Sequence, residues 1–468
     1  MSRPQRLILL SMCLSLAAVV SAVSSLNVAL PGVARATGAT TTQLQWIVDA
    51  YALVFAGLLM PAGALGDRLG RRRVLVAGLV IFGGAALVAT TVSDADGLIV
   101  VRTVMGVGAA LIMPTTLSVI TATFGAGERD KAVGAWAGVA GGSAMLGVLV
   151  SGLLLEWFDW PSVFALNGVL ATVGLLMTLK FVPVGAPEPA RLDGGGAALS
   201  ALGLAAVVWA FIEGPTRGWT SATVAGGFAL GVVLLVAFVL YELRAREPML
   251  DPRLFVQRGF AAGSLSVFVQ FFAMFGSIFV VLQFLQFVMR YSPLEAGGVL
   301  APAAIGMIVV APRVPRLVQR VGMRRVGPTG LLLIAGGLTI AATMDAGSSA
   351  WTPLAGFLVL GLGMALAAPP ATAAIVASLP ADKQGVASAV NDTAREVGGA
   401  LGIAVLGSVL ADHVGALGPQ TDPQSLVDGY QAALHVGAAV LVAGAALVFA
   451  RLSRSSSRVR SSAPARLL

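Results

Sequence analysis

Long apolar runs separated by short polar segments are the dominant pattern along the chain. A hydrocarbon core about 30 Å thick needs about 20 apolar residues per helix. Runs of about that length cover residues 7–30, 46–65, 74–92, 98–122, 132–155, 161–182, 196–213, 222–243, 260–289, 295–317, 326–344, 351–375, 386–411 and 429–451. This pattern predicts fourteen membrane-spanning helices. We interpret the first run as an uncleaved span, because it is too long for a signal peptide, and expect Asn27 and Pro31 to close it.

The composition agrees with a protein that spans a membrane. Hydrophobic residues make up 57% of the chain and charged residues 11%, against about 25% charged residues in soluble domains. The single cysteine excludes an intrachain disulfide. His413 and His435 have no partner at metal-ligand spacing, so we expect neither a metal nor a cofactor.

The basic residues indicate how the spans are oriented. If the N-terminus is cytoplasmic, 25 of the 30 Lys and Arg residues fall in cytoplasmic segments, and only Arg35, Arg217 and Arg290 fall in outer loops. The positive-inside rule therefore predicts cytoplasmic termini. The excess of Arg over Lys is typical of a GC-rich bacterial genome, so we expect the bacterial inner membrane. Basic loops of this kind face anionic lipid and do not indicate a nucleic-acid groove.

One predicted cytoplasmic turn combines glycines with charged residues. Gly66 and Gly70 allow a tight reversal and the close approach of a neighbouring helix. Asp67 is placed to cap a helix or to pair with an arginine. A positive-inside loop explains the arginines alone, but the ordered spacing is more specific. Its members are Gly63, Asp67, Arg68, Gly70, Arg71 and Arg72.

This turn resembles the signature loop of the major facilitator superfamily. The segments WIVDAYALVFAGLLMPAGALGDRLGRRR, VRTVMGVGAALIMPTTL and GVASAVNDTAREVGGALGIAVLGSVLA are similar to those of its fourteen-helix drug:proton antiporters. The resemblance implies an all-α major facilitator fold with a central cavity reached alternately from each side. It divides the chain into a six-helix bundle (1–182), a two-helix insert (183–258) and a second six-helix bundle (259–452). We expect residues 453–468 to form a disordered basic tail.

The chain departs from that family's pattern at two positions. Members usually have an Asp where this chain has Ala22, and a Pro after the glycine that corresponds to Gly147, where this chain has Val148. Both features are associated with proton-coupled export in the family.

Ionisable residues inside predicted spans are candidates for proton coupling, since they must pair or line water. The resemblance assigns Arg102 to a proton relay; a structural ion pair or snorkelling to the headgroups is the alternative. Asp392, Arg395 and Glu396 share one helical face, and a locking ion pair would also explain them. Asp49, which lies near a span end, is a further coupling candidate, although an interfacial hydrogen bond would also account for it.

Small residues recur along the fifth span. Such stripes allow close helix packing, and the resemblance implies that this span lies between the two halves. The predicted half-interface glycines are Gly134, Gly138, Gly142, Gly147 and Gly152.

An aromatic face in the ninth span, followed by amides, suits a lipophilic ligand as well as it suits lipid. The cavity candidates are Phe268, Phe271, Phe272, Phe275, Gln283, Gln286, Asn27 and Asn391.

The sequence as a whole predicts a monomeric secondary transporter that exports lipophilic small molecules in exchange for protons. A major facilitator uniporter or importer of another solute is the main alternative. A multispan membrane enzyme or sensor is a further one, although the sequence contains neither a phosphate-binding loop nor a Ser/His/Asp set.

Overall fold

The computed structural model describes residues 2–184, 193–246, 248–345, 347–349, 351–379, 384–414 and 422–453, and within these residues the chain is helical with short turns. The helices are α1 (Arg3–Thr37), α2 (Thr41–Leu69), α3 (Arg71–Ala89), α4 (Ala95–Thr123), α5 (Ala126–Leu155), α6 (Pro161–Phe181), α7 (Gly194–Arg217), α8 (Ala222–Arg244), α9 (Arg258–Phe287), α10 (Pro293–Val299), α11 (Ala301–Val310), α12 (Val314–Val321), α13 (Met323–Ala341), α14 (Trp351–Ala377), α15 (Gln384–Val414) and α16 (Pro423–Ser453). Short 3₁₀ segments lie at Pro252–Val256 and Ala311–Arg313. The tail from residue 454 lies outside the described residues.

Twelve helical segments of the described chain are long and apolar enough to cross a membrane. One of them, Pro293–Val321, is built from α10, α11 and α12. Pro302, Pro312 and Pro315 each lie at the start of one of its helical pieces, where a missing N–H is tolerated. The helices α5 and α13 do not belong to the twelve, so the full count of fourteen crossings stays a prediction.

The predicted end of the first span is wrong. α1 continues through Asn27 and Pro31 to Thr37. It ends at Gly38, whose φ of 69° is left-handed and whose N–H donates to the carbonyl of Ala34 at 2.9 Å. Glycine is favoured at such a helix end because it has no Cβ.

The helices alternate in direction, so the bundle has two ends. We call the end where α1 begins and α16 finishes the proximal end, and the end where α1 finishes and α2 begins the distal end. We call α1–α6 the first half, in which α1 packs on α5 and α6 and α2 packs on α4. We call α9–α16 the second half, in which α9 packs on α14, α15 and α16 and α13 packs on α14.

The first inserted helix covers the contact between the halves. α2 packs on α15 across that contact, and α7 packs on both of them, while α8 packs on α7. Ala52 and Leu53 of α2, Val208 of α7 and Ala404 of α15 share one apolar cluster. The insert therefore shields a seam of helices from lipid on one side of the molecule.

Candidate substrate and coupling sites

Arg102 is buried among three helices of the first half. It lies seven residues after α4 begins, about 10 Å along the helix axis, and only 1% of it is exposed. Its Nε donates to the carbonyl of Ile47 at 3.0 Å and its Nη1 to that of Ala22 at 3.4 Å. Its guanidinium carbon lies 4.2 Å from the centre of the Tyr51 ring. Snorkelling is excluded by this burial, and Arg102 forms no ion pair with a described carboxylate.

Asp49 lies deeper than the sequence indicated. It follows the start of α2 by eight residues, about 12 Å along the axis. Its side chain is fully buried, and neither carboxyl oxygen has a hydrogen-bond partner. The interfacial hydrogen bond expected from the sequence is therefore absent. Asp49 lies between Ile47 and Tyr51 along α2, both of which contact Arg102.

The second half contributes a compact charged cluster on α15. Arg395 lies eleven residues after α15 begins, about 16 Å along the axis. Its Nε and Nη2 both lie 3.0 Å from Oε1 of Glu396, and its Nη1 lies 3.6 Å from Oδ1 of Asp392. Asn391 donates weakly to Asp392 at 3.5 Å and accepts from the hydroxyl of Thr372 at 2.9 Å. Glu396 is therefore the closer acidic partner of Arg395.

The charged residues of the two halves face the same region. Nη2 of Arg395 donates to Sδ of Met113 in α4 at 3.6 Å. Tyr51, which holds Arg102 against its ring, lies close enough to feel the charges of Arg395 and Glu396. Its hydroxyl donates to the carbonyl of Val19 at 3.1 Å. No sequence pattern indicated this role of Tyr51, because it depends on how α2, α4 and α15 meet.

A cavity of about 110 Å³ lies between the halves, and we call it the central cavity. Ser24 of α1 and Val148 of α5 line it from the first half. Met274, Phe275, Ile278, Met307 and Met364 are among its lining residues from the second half. None of its described lining residues is charged, and methionine side chains adapt to ligands of different shapes.

The aromatic residues predicted to line one cavity lie at different places in the structure. Phe275 lines the central cavity, whereas Phe268 lines a separate pocket near the proximal end. The ring centre of Phe271 lies 5.9 Å from the guanidinium carbon of Arg395. Phe272 is buried, with its backbone against Gly402 of α15.

The predicted amides also separate. Gln286 donates to the carbonyl of Val28 at 3.1 Å and so joins the halves. Gln283 and Asn27 donate to carbonyls of their own helices, at 3.1 and 2.9 Å, and each keeps a buried oxygen without a partner. None of these amides, nor Asn391, lines either pocket.

Polar contacts join the halves at the distal end. Gln45 of α2 donates to the carbonyls of Ala404 and Ile403 in α15, at 3.2 and 3.4 Å. The N–H of Leu294 donates to Glu156 at 3.4 Å. The sequence analysis overlooked Gln45, because it lies one position before the predicted span 46–65 and close to other polar residues, so no isolated polar position marked it.

The insert contributes to the same closure. Trp46 of α2 donates to Glu213 of α7 at 3.3 Å. Trp219, just after α7, donates to Asp412 of α15 at 3.3 Å, and Ser408 donates to the carbonyl of Phe211 at 2.6 Å. These bonds tie the insert to both halves.

The glycines of α5 play different parts. A Cβ at Gly152 would lie 3.0 Å from Cα of Leu294 in the other half, whereas one at Gly147 would lie 3.0 Å from Cα of Ser21 in the same half. A Cβ at Gly134 or Gly138 would meet nothing within 4 Å, so neither forms the expected close contact in this structure. The surroundings of Gly142 lie outside the described part of the structure.

The glycine-rich turn is a single residue. α2 ends at Leu69 and α3 begins at Arg71, with Gly70 between them at a φ of 95°. A Cβ at Gly66 would lie 2.8 Å from a methyl carbon of Thr115, and one at Gly63 would lie 3.7 Å from Pro114. Both glycines thus let α2 approach α4.

The arginines of the turn reach other helix ends. Arg72 donates to the carbonyl of Leu179 at 2.7 Å, and Arg71 donates to that of Ser118 at 3.5 Å. Arg68 is exposed, and the side chain of Asp67 lies outside the described residues.

The sequence profile of the Major Facilitator Superfamily matches residues 12–403 and 316–467, and the chain belongs to this superfamily of membrane transporters. It is 35% identical over 393 residues to the methyl viologen resistance protein SmvA of Salmonella typhimurium, covering 82% of this chain and 78% of that protein. It is 34% identical over 442 residues to the puromycin resistance protein pur8 of Streptomyces alboniger, with coverages of 90% and 86%. It is 36% identical over 383 residues to the multidrug efflux pump LfrA of Mycolicibacterium smegmatis, with coverages of 81% and 76%.

Solved structures confirm the fold. The POT family transporter PepTSo superposes with a TM-score of 0.71 at 18% identity, covering 98% of this chain and 99% of that one. A bacterial homologue of the human lysosomal transporter Spinster, in an inward-facing and unoccupied conformation, gives a TM-score of 0.68 at 15% identity, with coverages of 96% and 97%. The predicted major facilitator fold is thereby confirmed, and the chain is a multi-pass membrane transporter for a small-molecule substrate.

Proposed function

We propose that this transporter exports lipophilic small molecules across the bacterial cytoplasmic membrane in exchange for protons, acting as a monomer with both termini in the cytoplasm. The observation that carries the proposal is the central cavity, which both halves line and whose described lining residues include three methionines and no charged side chain. Such a lining favours neutral or weakly charged lipophilic molecules. The relatives SmvA, pur8 and LfrA, which are named for resistance or efflux, support this substrate class.

Alternating access accounts for the size of the cavity. Its volume of about 110 Å³ is below the range of roughly 300–1,000 Å³ that drug-sized ligands occupy. The halves must therefore separate further before such a substrate binds. With the proximal end in the cytoplasm, the distal contacts of Gln45 and Glu156 would close the outer side.

Proton coupling would use the buried carboxyl groups near the contact between the halves. Glu396 and Asp392 share Arg395, so a proton on either acid would weaken the cluster. A proton on Asp49 would cancel a buried charge for which the structure provides no hydrogen bond. Arg102 would act as the fixed cation of the first half, since Ala22 leaves it without an acidic partner on α1.

Dye transport into inverted membrane vesicles tests the proposal. We expect ethidium to accumulate against its gradient when the lumen is acidified, and nigericin to abolish the accumulation. Arg102→Ala should abolish it with the protein still inserted, because the substitution removes the cation that joins α1, α2 and α4. Equilibration of the dye without accumulation, at any imposed pH gradient, would replace the antiporter with the facilitator.

A further inference from the structure

The protein has a second pocket, which we call the proximal pocket. Its volume is about 420 Å³, within the range of about 300–1,000 Å³ for small-molecule sites. It is lined by residues of α2, α9, α15, the α8–α9 linker and the end of α16. It shares no lining residue with the central cavity. Phe268 belongs to the proximal pocket and Phe275, two turns further along α9, to the central cavity. The two are distinct sites.

The chemistry of the lining changes with depth. Arg451, two residues before α16 ends, is exposed at the proximal end. Ser264 lies about 9 Å along α9 and Thr393 about 14 Å along α15, counted from their proximal ends. Phe268 and Val397 lie deeper still. The lining therefore changes with depth from a cation at the mouth, through two hydroxyl groups, to apolar side chains at the deepest part.

The two hydroxyls are unusual for helical residues. Helical Ser and Thr side chains often donate to the carbonyl one turn back, as Thr339 does to Ala335 at 2.9 Å. Oγ of Ser264 and Oγ1 of Thr393 are buried and have no hydrogen-bond partner. Both residues line the pocket, so an acceptor oxygen inside it would satisfy them.

We propose that the proximal pocket binds an anionic phospholipid of the surrounding membrane. Its phosphate would face Arg451, its ester carbonyls would accept from Ser264 and Thr393, and an acyl chain would pack on Phe268 and Val397. This order matches the order of cation, hydroxyls and apolar surface along the pocket. Arg253 and Arg258, in the linker and at the start of α9, add positive charge at the same end.

The bound lipid would set the position of α15. At 100° per residue, Val390, Thr393 and Val397 lie on the face of α15 opposite to Asp392, Arg395 and Glu396. A filled pocket thus supports α15 from behind the charged cluster. This site does not depend on which substrate the central cavity transports.

Native mass spectrometry of the full-length protein tests the proposal without any transport assay. The purified protein is titrated with palmitoyl-oleoyl phosphatidylglycerol, with the zwitterionic phosphatidylcholine of the same chains, and with oleate. We expect phosphatidylglycerol to bind about fivefold more tightly than phosphatidylcholine, the effect of one arginine near an anionic headgroup. Arg451→Gln should remove this preference, whereas Arg320→Gln, an exposed arginine at the same end on α12, should keep it.

The hydroxyls need a separate variant. Ser264→Ala combined with Thr393→Val should weaken both phospholipids about tenfold, because two hydrogen bonds to the esters are lost, and Thr339→Val should change neither. If the wild type and all variants bind phosphatidylglycerol with equal affinity, the proposed lipid site is wrong. Binding of oleate without binding of phosphatidylglycerol would also overturn it, in favour of a free fatty-acid anion.

Discussion

Nη1 of Arg102 donates a hydrogen bond to the main-chain carbonyl of Ala22, 3.4 Å away. Ala22 is the position at which related antiporters usually carry an Asp, so the arginine meets backbone where an acid is expected. Nη2 of the same guanidinium has no partner. The first half thus carries a buried cation held by two carbonyls and an aromatic ring, without a counter-ion among the described residues.

This geometry predicts a gain of function. Ala22→Asp would place a carboxylate next to the unpaired nitrogen of Arg102, and paired charges are tolerated inside a bundle. We expect the variant to insert normally and to transport methyl viologen, a dication, faster than the wild type does. The measurement is methyl viologen uptake into inverted vesicles at matched expression.

A matched control is available on the same helix. Ala29 is as buried as Ala22, but no cation among the described residues donates to its carbonyl. Ala29→Asp should lower expression and leave methyl viologen transport unimproved. Equal gains in both variants would show that negative charge on α1, rather than the pairing with Arg102, is responsible.

The two acids beside Arg395 should differ in importance. Two nitrogens of Arg395 lie 3.0 Å from a carboxylate oxygen of Glu396, whereas one lies 3.6 Å from a carboxylate oxygen of Asp392. We expect Glu396→Gln to abolish transport driven by a pH gradient and Asp392→Asn to reduce it, with both proteins folded. Initial rates of dye uptake at several lumenal pH values give the comparison.

Glu295→Gln serves as the control for this pair. Glu295 is exposed and caps α10 through Ser292, and Gln can form the same capping box. Its variant should transport like the wild type. If both acid variants of α15 retain the dependence on pH, the cluster is a structural lock.

A disulfide between α5 and α10, which lie in opposite halves of the molecule, should stop transport. A Cβ at Gly297 would lie 3.0 Å from Cγ1 of Val148, and in a disulfide the Cβ of one cysteine lies roughly 3 Å from the sulfur of the other. Val148→Cys with Gly297→Cys, in a Cys13→Ser background, should therefore oxidise readily. We expect transport to cease on oxidation and to return on reduction.

The single variants Val148→Cys and Gly297→Cys control for the substitutions themselves. Each should transport with or without oxidant. Full transport by the oxidised double variant would mean that α5 and α10 stay together throughout the cycle, which contradicts alternating access at this contact.

The turn between α2 and α3 allows a stability prediction. Gly70 has a φ of 95° and a ψ of 123°, and holding an L-residue in so sparsely populated a region costs about 1–3 kcal/mol. Gly70→Ala should therefore lower the thermal unfolding temperature. Gly84→Ala, at an exposed position in α3 with nothing within 4 Å of the new Cβ, should raise it slightly. A lower temperature for both variants would argue against backbone strain as the cause.

The hydrophobic pattern was sufficient to predict the helical membrane fold, because burial in lipid acts on each segment separately. It placed α2, α4 and α15 within a few residues of their observed bounds and put Arg102, Asp392, Arg395 and Glu396 inside them. It failed where helix ends depend on local backbone, as at Pro31, which α1 passes through.

The tertiary structure alone decided which of those residues meet. The donation from Arg395 to Met113 joins residues 282 positions apart, and that from Gln45 to Ala404 joins residues 359 apart. Neither pair can be recognised from the periodicity of apolar residues in the sequence, since each helix presents the same apolar surface to lipid and to its neighbours. The separation of Phe268 from Phe275 and the placement of α7 over the seam arise in the same way. Hydropathy determines that a helix crosses the membrane, whereas side-chain packing between helices determines which of its faces carries the chemistry.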